Sequence, residues 1–258
     1  MLDALLTPFT EFEFMRRALV GTIAIAVGGA PVGVFLMLRR MSLTGDAMAH
    51  AILPGAAVGY LVAGLSLPAM TAGGLVAGMI VAVLAGLVAR FTDLKEDASL
   101  AAFYLLSLAL GVTIVSLRGS NVDLLHVLFG TVLALDDAAL VLIAAIATVT
   151  LLALALLYRP LVLECVDPTF LRSVSRAGTP THLAFLGLVV LNLVGGFHAL
   201  GTLLAVGLMM LPAAAARFWC ADITLMTGAA TLIGILSGYV GLLLSYHWEL
   251  PAGPAVIL

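Results

Sequence analysis

Charged side chains are scarce in this chain. Only 10% of its 258 residues are charged and 63% are hydrophobic, whereas soluble domains carry about 25% charged residues. Apolar runs of about 20 residues recur along the whole length, and each is long enough to cross the hydrocarbon core of a bilayer. The composition therefore predicts an all-α, polytopic transmembrane helical bundle. The apolar runs are continuous rather than alternating, which disfavours a β-barrel.

Sequence motifs for ATP hydrolysis and for zinc proteolysis are absent. The only lysine is Lys95, and it does not lie in a GxxxxGK[ST] sequence, so the chain has no phosphate-binding loop. An HExxH sequence is absent too, which excludes a membrane protease of that type. The two cysteines, Cys165 and Cys220, fit no CxxC pattern and are expected to be packing residues. The chain is not expected to be an enzyme, and any ATPase must be a separate subunit.

About eight apolar segments are expected to cross the membrane within a single transmembrane domain, residues 1–258. Small residues recur at the spacing that lets helices approach closely in lipid. Three such glycine pairs are Gly55 and Gly59, Gly74 and Gly78, and Gly234 and Gly238. The expected spans cover approximately residues 14–38, 42–64, 68–89, 98–117, 138–157, 182–196, 201–216 and 223–246.

Basic residues fall unevenly on the two sides of this arrangement. Eight of the 11 Lys and Arg residues lie in connections on one side, and three lie on the other. Because cytoplasmic loops carry the excess of Lys and Arg, the richer side should face the cytoplasm and both termini should lie outside. The richer side holds Arg39, Arg40, Arg90, Lys95, Arg159, Arg172, Arg176 and Arg217.

An acid and an imidazole interrupt the second apolar segment, in "MSLTGDAMAHAILPG". Asp46 and His50 are four residues apart, so on a helix they share one face. An ionised Asp at a helix centre costs at least about 2.5–3.5 kcal/mol on insertion scales, and a bound cation would offset that cost. Carboxylate oxygen and imidazole nitrogen suit zinc or manganese. Pro54 is expected to kink the helix beside the imidazole.

A structural role competes with metal binding at this pair. Ser42, Thr44 or Asp46 could cap the second helix, and His50 could be a hydrogen-bonded interior histidine. Two ligands are also too few for zinc, which takes about four. A metal site at this position therefore requires other residues or a second copy of the chain.

Other polar side chains are weaker candidates for metal ligands. Asp123 and His126 are three residues apart and could contact a metal in an outer connection, although an amphipathic turn at the membrane interface is favoured. His198 falls in another expected outer connection. His182 and His247 are expected at the ends of spans.

Six stretches, in order along the chain, resemble one protein family. They are "GVFLMLRRMSLTGDAMAHAILPGAAVGYL", "KEDASLAAFYLLSLALGVTIVSL", "LLHVLFG", "LECVDPTFLRSVSRAG", "GTLLAVGLMMLPAAAARF" and "LPAGPAVIL". On these motifs the chain resembles the membrane subunits of bacterial ABC importers for zinc, manganese or iron, which cluster A-I binding proteins supply. The resemblance covers nearly the whole chain, although Cys165 replaces the aromatic residue usual in the family's docking element.

The resemblance implies a divalent-metal import permease of the bacterial cytoplasmic (inner) membrane. Two copies would form a homodimer around a central pathway, two ATP-binding cassette ATPase subunits would bind beneath, and an extracytoplasmic metal-binding protein would deliver the cargo. It implies that Asp46 and His50 are transient ligands of transported Zn²⁺ or Mn²⁺, with zinc favoured. It implies an ATPase-coupling role for residues 163–178. No permanently bound cofactor and no nucleic-acid partner are expected.

The coupling segment contains "DPTFLRSVSRAG", which predicts a short helix. Asp167 can cap this helix, and Gly178 can end it. Phe170, Leu171 and Val174 are spaced to form one apolar face. An ordinary amphipathic connection lying on the membrane is the structural alternative.

Two other classes of function stay open on the sequence. A secondary transporter or a passive metal channel would work without an ATPase, but the docking-like connection disfavours it. A membrane protein with no transport role, in which Asp46 only caps a helix, is the second alternative. Metal binding by the purified chain separates the second from the rest.

The distribution of basic residues generates a prediction about topology. In a chain otherwise free of cysteine, a thiol introduced as Arg172→Cys should react only with reagent added from the cytoplasmic side. A thiol introduced as Ser120→Cys should react only from outside. Labelling of intact cells and of inverted vesicles measures both, and the reverse pattern would overturn the predicted orientation.

Overall fold

The computed structural model describes residues 2–41, 43–64, 66–92, 96–117, 135–167, 170–171, 175 and 178–258. Every long element in these ranges is an α-helix, which confirms the predicted all-α class. In chain order the helices are α1 (Leu2–Glu11), α2 (Glu13–Leu38), α3 (Thr44–Ala51), α4 (Leu53–Ala63), α5 (Leu67–Phe91), α6 (Glu96–Leu117), α7 (Asp137–Val166), α8 (Gly178–Leu200), α9 (Thr202–Trp219), α10 (Ile223–Trp248) and α11 (Ala252–Ile257).

The expected spans correspond to these helices. Over the described ranges, seven helices are long and apolar enough to cross a membrane, counting α3 and α4 as one interrupted span, and the apolar part of α6 (Ala98–Ile114) is shorter. The fifth span runs to Val166, well beyond its expected end at residue 157. It continues through Pro160 because a proline is tolerated in a membrane helix where neighbouring groups satisfy the freed backbone.

The chain divides into two compact units. Unit 1 comprises residues 1–37, 122–149 and 195–258, and unit 2 comprises residues 38–121 and 150–194. Unit 1 therefore contains α1, nearly all of α2, the first part of α7, the end of α8, and α9 to α11. Unit 2 contains α3 to α6, the second part of α7 and most of α8, and it holds Asp46, His50 and the candidate coupling segment.

Backbone-to-backbone contact holds the helices of unit 1 together. A Cβ atom at Gly33 of α2 would overlap the carbonyl oxygen of Met209 in α9. On α10, Gly238 faces Thr22 of α2, and a Cβ there would lie 3.1 Å from the Thr22 hydroxyl oxygen. These contacts exclude larger side chains, as the small-residue spacing predicts.

The same kind of contact joins α4 and α5 in unit 2. A Cβ atom at Gly55 would overlap the carbonyl oxygen of Gly73, and one at Gly73 would overlap the carbonyl oxygen of Gly55. One turn further on, a Cβ at Gly59 would lie 2.5 Å from the Ala69 oxygen. Glycine spacing therefore determines how closely the interrupted second span packs on its neighbour.

The α4–α5 contact predicts opposite outcomes at two glycines. Gly55→Val should lower the melting temperature of the purified chain, because overpacking costs about 1–3 kcal/mol or more. Gly228→Ala in α10 is the control and should slightly raise the melting temperature. Nothing lies within 4 Å of a Cβ there, and alanine is the better helix former by about 0.5–1 kcal/mol. Thermal unfolding in detergent measures both. Equal stability of Gly55→Val and the parent chain would contradict the α4–α5 contact.

Candidate metal site

The second span is interrupted at Ile52, directly after the helix that carries Asp46 and His50. Helix α3 ends at Ala51, and α4 starts at Leu53 with Pro54 in its first turn. The Ser107 hydroxyl of α6 donates a buried hydrogen bond of 2.9 Å to the Ala51 carbonyl oxygen. The helix is interrupted beside His50, where Pro54 predicts a kink, and α6 supports the backbone there.

Asp46 and His50 form a loose pair on one face of α3. The distance from His50 Nε2 to Asp46 Oδ1 is 3.8 Å, and the side chains are 25% and 67% exposed respectively. That separation is too long for a hydrogen bond. It is shorter than about 4.2 Å, twice a typical metal–ligand distance of about 2.1 Å. A cation lying to one side of the line between the two atoms can therefore contact both.

The described residues do not show the structural roles that compete with metal binding at this pair. The N-cap of α3 is Leu43, without a side-chain capping bond, so Asp46 lies inside the first turn instead of capping it. Ser42, another capping candidate, lies outside the described residues. His50 Nδ1 is buried and has no hydrogen-bond partner among the described residues. The Tyr104 ring lies near the imidazole, with 6.1 Å between ring centroids.

A single copy of the chain brings two candidate ligands together at this position. Over the described ranges, no group of three or more His, Cys, Asp or Glu side chains could hold a metal ion. The helix surface around the pair is uncovered: Leu43, Val58 and Val62 are exposed together with Asp46. Asp46, His50, Val58 and Val62 lie four or eight positions apart along α3 and α4, and we refer to these four residues as the open face.

The weaker candidate ligands fall partly outside the described residues. Asp123 and His126 lie outside the described residues, and so does the side chain of His198. His247 lies in the last turn of α10, with Nδ1 3.1 Å from the Leu243 carbonyl oxygen. His247 is therefore confirmed as a residue at the end of a span.

The candidate coupling segment begins with a capped turn. The Asp167 carboxylate accepts a hydrogen bond of 2.9 Å from the Phe170 backbone N–H, and the Leu171 N–H donates to the Asp167 carbonyl at 3.2 Å. These bonds match the predicted capping role of Asp167. Phe170 is 52% exposed, whereas Leu171 is only 4% exposed.

One detail predicted for this segment is wrong, and another stays a prediction. Gly178 is the first residue of α8, and since residues 176 and 177 lie outside the described ranges, its role as the end of the preceding helix stays a prediction. Phe170 and Leu171 do not present a common face, because neighbouring helical residues point in different directions. Val174 lies outside the described residues.

Sequence reasoning missed a buried ionic cluster of Arg39, Glu164 and His182. Arg39 Nη2 donates to Glu164 Oε1 at 3.2 Å and contacts His182 Nδ1. The Arg39 and Glu164 side chains are 9% and 6% exposed. The guanidinium also lies over the Phe185 ring, 5.1 Å from its centroid. No local motif could have revealed this cluster, because its members are more than a hundred residues apart or lie at separate helix ends.

Comparison with known proteins identifies the family. The model of the ABC 3 transport family matches residues 11–258. This chain belongs to the ABC 3 transport family. It is a multi-pass membrane subunit of a transporter and not an enzyme, as predicted.

Individual members of the family are similar to this chain over most of their length. ScaB of Streptococcus parasanguinis, a manganese import system permease protein, is 30% identical over 258 residues, which is 100% of this chain and 91% of that protein. YfeD of Yersinia pestis, a chelated iron transport system membrane protein, is 30% identical and covers 100% of this chain and 86% of its own length. Neither name supports the expected preference for zinc.

A solved structure shares the fold. PsaBC from Streptococcus pneumoniae in complex with Fab superimposes with a TM-score of 0.86 at 26% sequence identity. The match covers 100% of this chain and 91% of that chain. The helical architecture is therefore that of an ABC 3 family membrane subunit throughout.

Proposed function

We propose that this chain is the membrane permease of an ATP-driven bacterial importer for a divalent transition metal, and that Asp46 and His50 bind the metal in transit. One observation carries the assignment of the site. An acid and an imidazole lie 3.8 Å apart on an uncovered helix face, where the helix is interrupted and where, within the described part of the chain, no Lys or Arg forms an ion pair with Asp46.

Manganese is the first cargo to test. Carboxylate and imidazole ligands accept manganese and zinc alike, so the pair alone does not choose between them. The relatives named for manganese and for chelated iron favour manganese or iron over zinc. We therefore replace the preference for zinc expected from the sequence with manganese, and keep zinc and iron as competing cargoes in the assay.

Two copies of the chain complete the site. The open face exposes Asp46, Val58 and Val62 in the single chain, and the two valines follow the acid and the imidazole along α4. Covering this face with its own copy would bury the valines and bring two Asp and two His together. Four ligands satisfy the coordination that one chain leaves incomplete.

ATP hydrolysis must come from a separate subunit, because this sequence has no phosphate-binding loop. The capped turn after Asp167 supports docking in this segment, since Phe170 projects an apolar ring away from the chain. A secondary transporter or a passive channel works without an ATPase, so neither requires an exposed ring for docking one. Uptake by the permease with and without its ATPase separates these alternatives.

The metal site predicts a loss of uptake from single substitutions. In vesicles that contain the assembled complex, Asp46→Ala and His50→Ala should each lower Mn²⁺ uptake by at least about tenfold, because even indirect partners of a metal are worth about 10–100-fold in affinity. His247→Ala, at the end of α10, is the matched control and should transport normally. Parent rates in both site variants, with the complex intact, would exclude the proposed metal site.

The coupling segment, residues 163–178, is called the docking segment from here on. Its structure predicts different effects of an introduced charge at two neighbouring residues. Phe170→Asp should abolish ATPase binding and uptake while the chain keeps its melting temperature, because the ring is exposed. Leu171→Asp should lower stability as well, because the side chain is buried and burying an unpaired charge is costly. Co-purification of the ATPase and thermal unfolding measure the two effects. If Phe170→Asp still bound the ATPase and transported metal, another connection must dock it.

A further inference from the structure

The Arg39–Glu164–His182 cluster lies where the candidate docking segment begins and ends. Glu164 is in the last turn of α7, just before Asp167, and His182 is in the first turns of α8. His182 Nδ1 lies 3.7 Å from Glu164 Oε1, so the entry and the exit of the segment meet. Arg39 ties both to the connection that leads, five residues later, into the helix carrying Asp46.

The contacts within the cluster pair opposite charges. The Arg39 guanidinium donates to the Glu164 carboxylate and also contacts His182 Nδ1. A guanidinium and a carboxylate that meet in this way can stay buried without an external ion.

The pairing between Arg39 and Glu164 is incomplete. Arg39 Nη1 and Glu164 Oε2 are both buried, and neither has a hydrogen-bond partner among the described residues. An arginine and a carboxylate can instead form two parallel hydrogen bonds, which use both nitrogens and both oxygens. Buried pairs with unmet polar atoms contribute little to stability. The same side chains therefore have a second, more fully bonded arrangement available to them.

The backbone beside the cluster adopts an uncommon conformation. Arg40 has a φ of 60°, in the left-handed region that residues other than glycine rarely occupy. Such a conformation persists only where the surrounding structure holds it. Arg39, the preceding residue, is anchored by the cluster. The anchor and the strained residue are thus adjacent, between α2 and the helix of the metal site.

We propose that Arg39, Glu164 and His182 are positioning residues that couple the docking segment to the metal site, and that Arg39 and Glu164 alternate between the single bond seen here and a doubly bonded pair. Movement of the docking segment would shift Glu164 against Arg39 and thereby move α3. The proposal rests on the proposed function for its direction of transport, but the movement itself can be measured without any metal.

The first measurement follows α3 directly. In a chain carrying Cys165→Ala and Cys220→Ala, a thiol is introduced as Leu43→Cys, at an exposed residue immediately before α3. Its rate of modification is compared with and without ATP in the complex with the ATPase. We expect ATP to change this rate by about fivefold or more, the lower end of usual coupling between sites.

The second measurement removes the cluster without leaving a lone charge. The double variant Arg39→Met with Glu164→Gln deletes both charges and keeps the side-chain volumes close, so it should assemble even where Glu164→Gln alone does not fold. We expect it to bind the ATPase and hydrolyse ATP, but to lose the ATP-dependent change at Leu43→Cys. Metal transported per ATP hydrolysed should fall about fivefold or more.

Two further variants test the mechanism. Arg17→Met with Glu13→Gln removes a more exposed Arg–Glu pair, joined at 2.7 Å within unit 1, and should behave as the parent chain. Arg39→Lys keeps the charge but cannot form two parallel bonds to a carboxylate. It should therefore preserve stability and still lose coupling, which a purely structural role would not predict.

The outcomes separate this proposal from the proposed function. Retained coupling in the double variant or in Arg39→Lys would overturn the proposal, as would ATP-driven uptake with no ATP-dependent change at Leu43→Cys. A parent complex that transports no metal, but whose thiol response depends on Arg39 and Glu164, would contradict the proposed cargo and support the coupling role.

Discussion

An ionisable side chain among apolar helices must find a counter-charge or lose its own charge, and this constraint organises unit 2. Two groups made of an acid and a histidine meet it differently. Glu164 is buried and contacts Arg39, and His182 contacts the same arginine. Over the described ranges, no arginine forms an ion pair with Asp46, and Asp46 and His50 lie on an uncovered face. The first acid is paired with an arginine of the same chain, and for the second we propose a metal cation as the partner.

The helix packing explains why the second group can stay open. Glycines bring α4 against α5 through Gly55 and Gly73, and Ser107 of α6 supports the interruption at Ile52 from the other side. The interrupted second span is thus held by α5 and α6, without using the acid or the imidazole. This leaves the open face for the second copy and the cargo that we propose.

The helical architecture could be predicted because apolar run length and glycine spacing are local properties of a sequence. The pair of Asp46 and His50 could be predicted for the same reason, since four residues on a helix define one face. The Arg39–Glu164 contact could not, because it joins distant segments that only the tertiary fold brings together. The burial of Leu171 next to the exposed Phe170 was likewise invisible, since local spacing does not reveal which side of a short turn faces the chain.

The most direct test of the account is the number of metal ions held by the purified permease dimer and the nature of their ligands. Mn²⁺ binding followed by electron paramagnetic resonance reports both, because imidazole nitrogens couple to the bound ion. The account predicts one Mn²⁺ per two chains with nitrogen coupling that disappears in His50→Ala. Binding of Mn²⁺ with the same nitrogen coupling in His50→Ala, or no binding by a dimer that transports manganese, would contradict it.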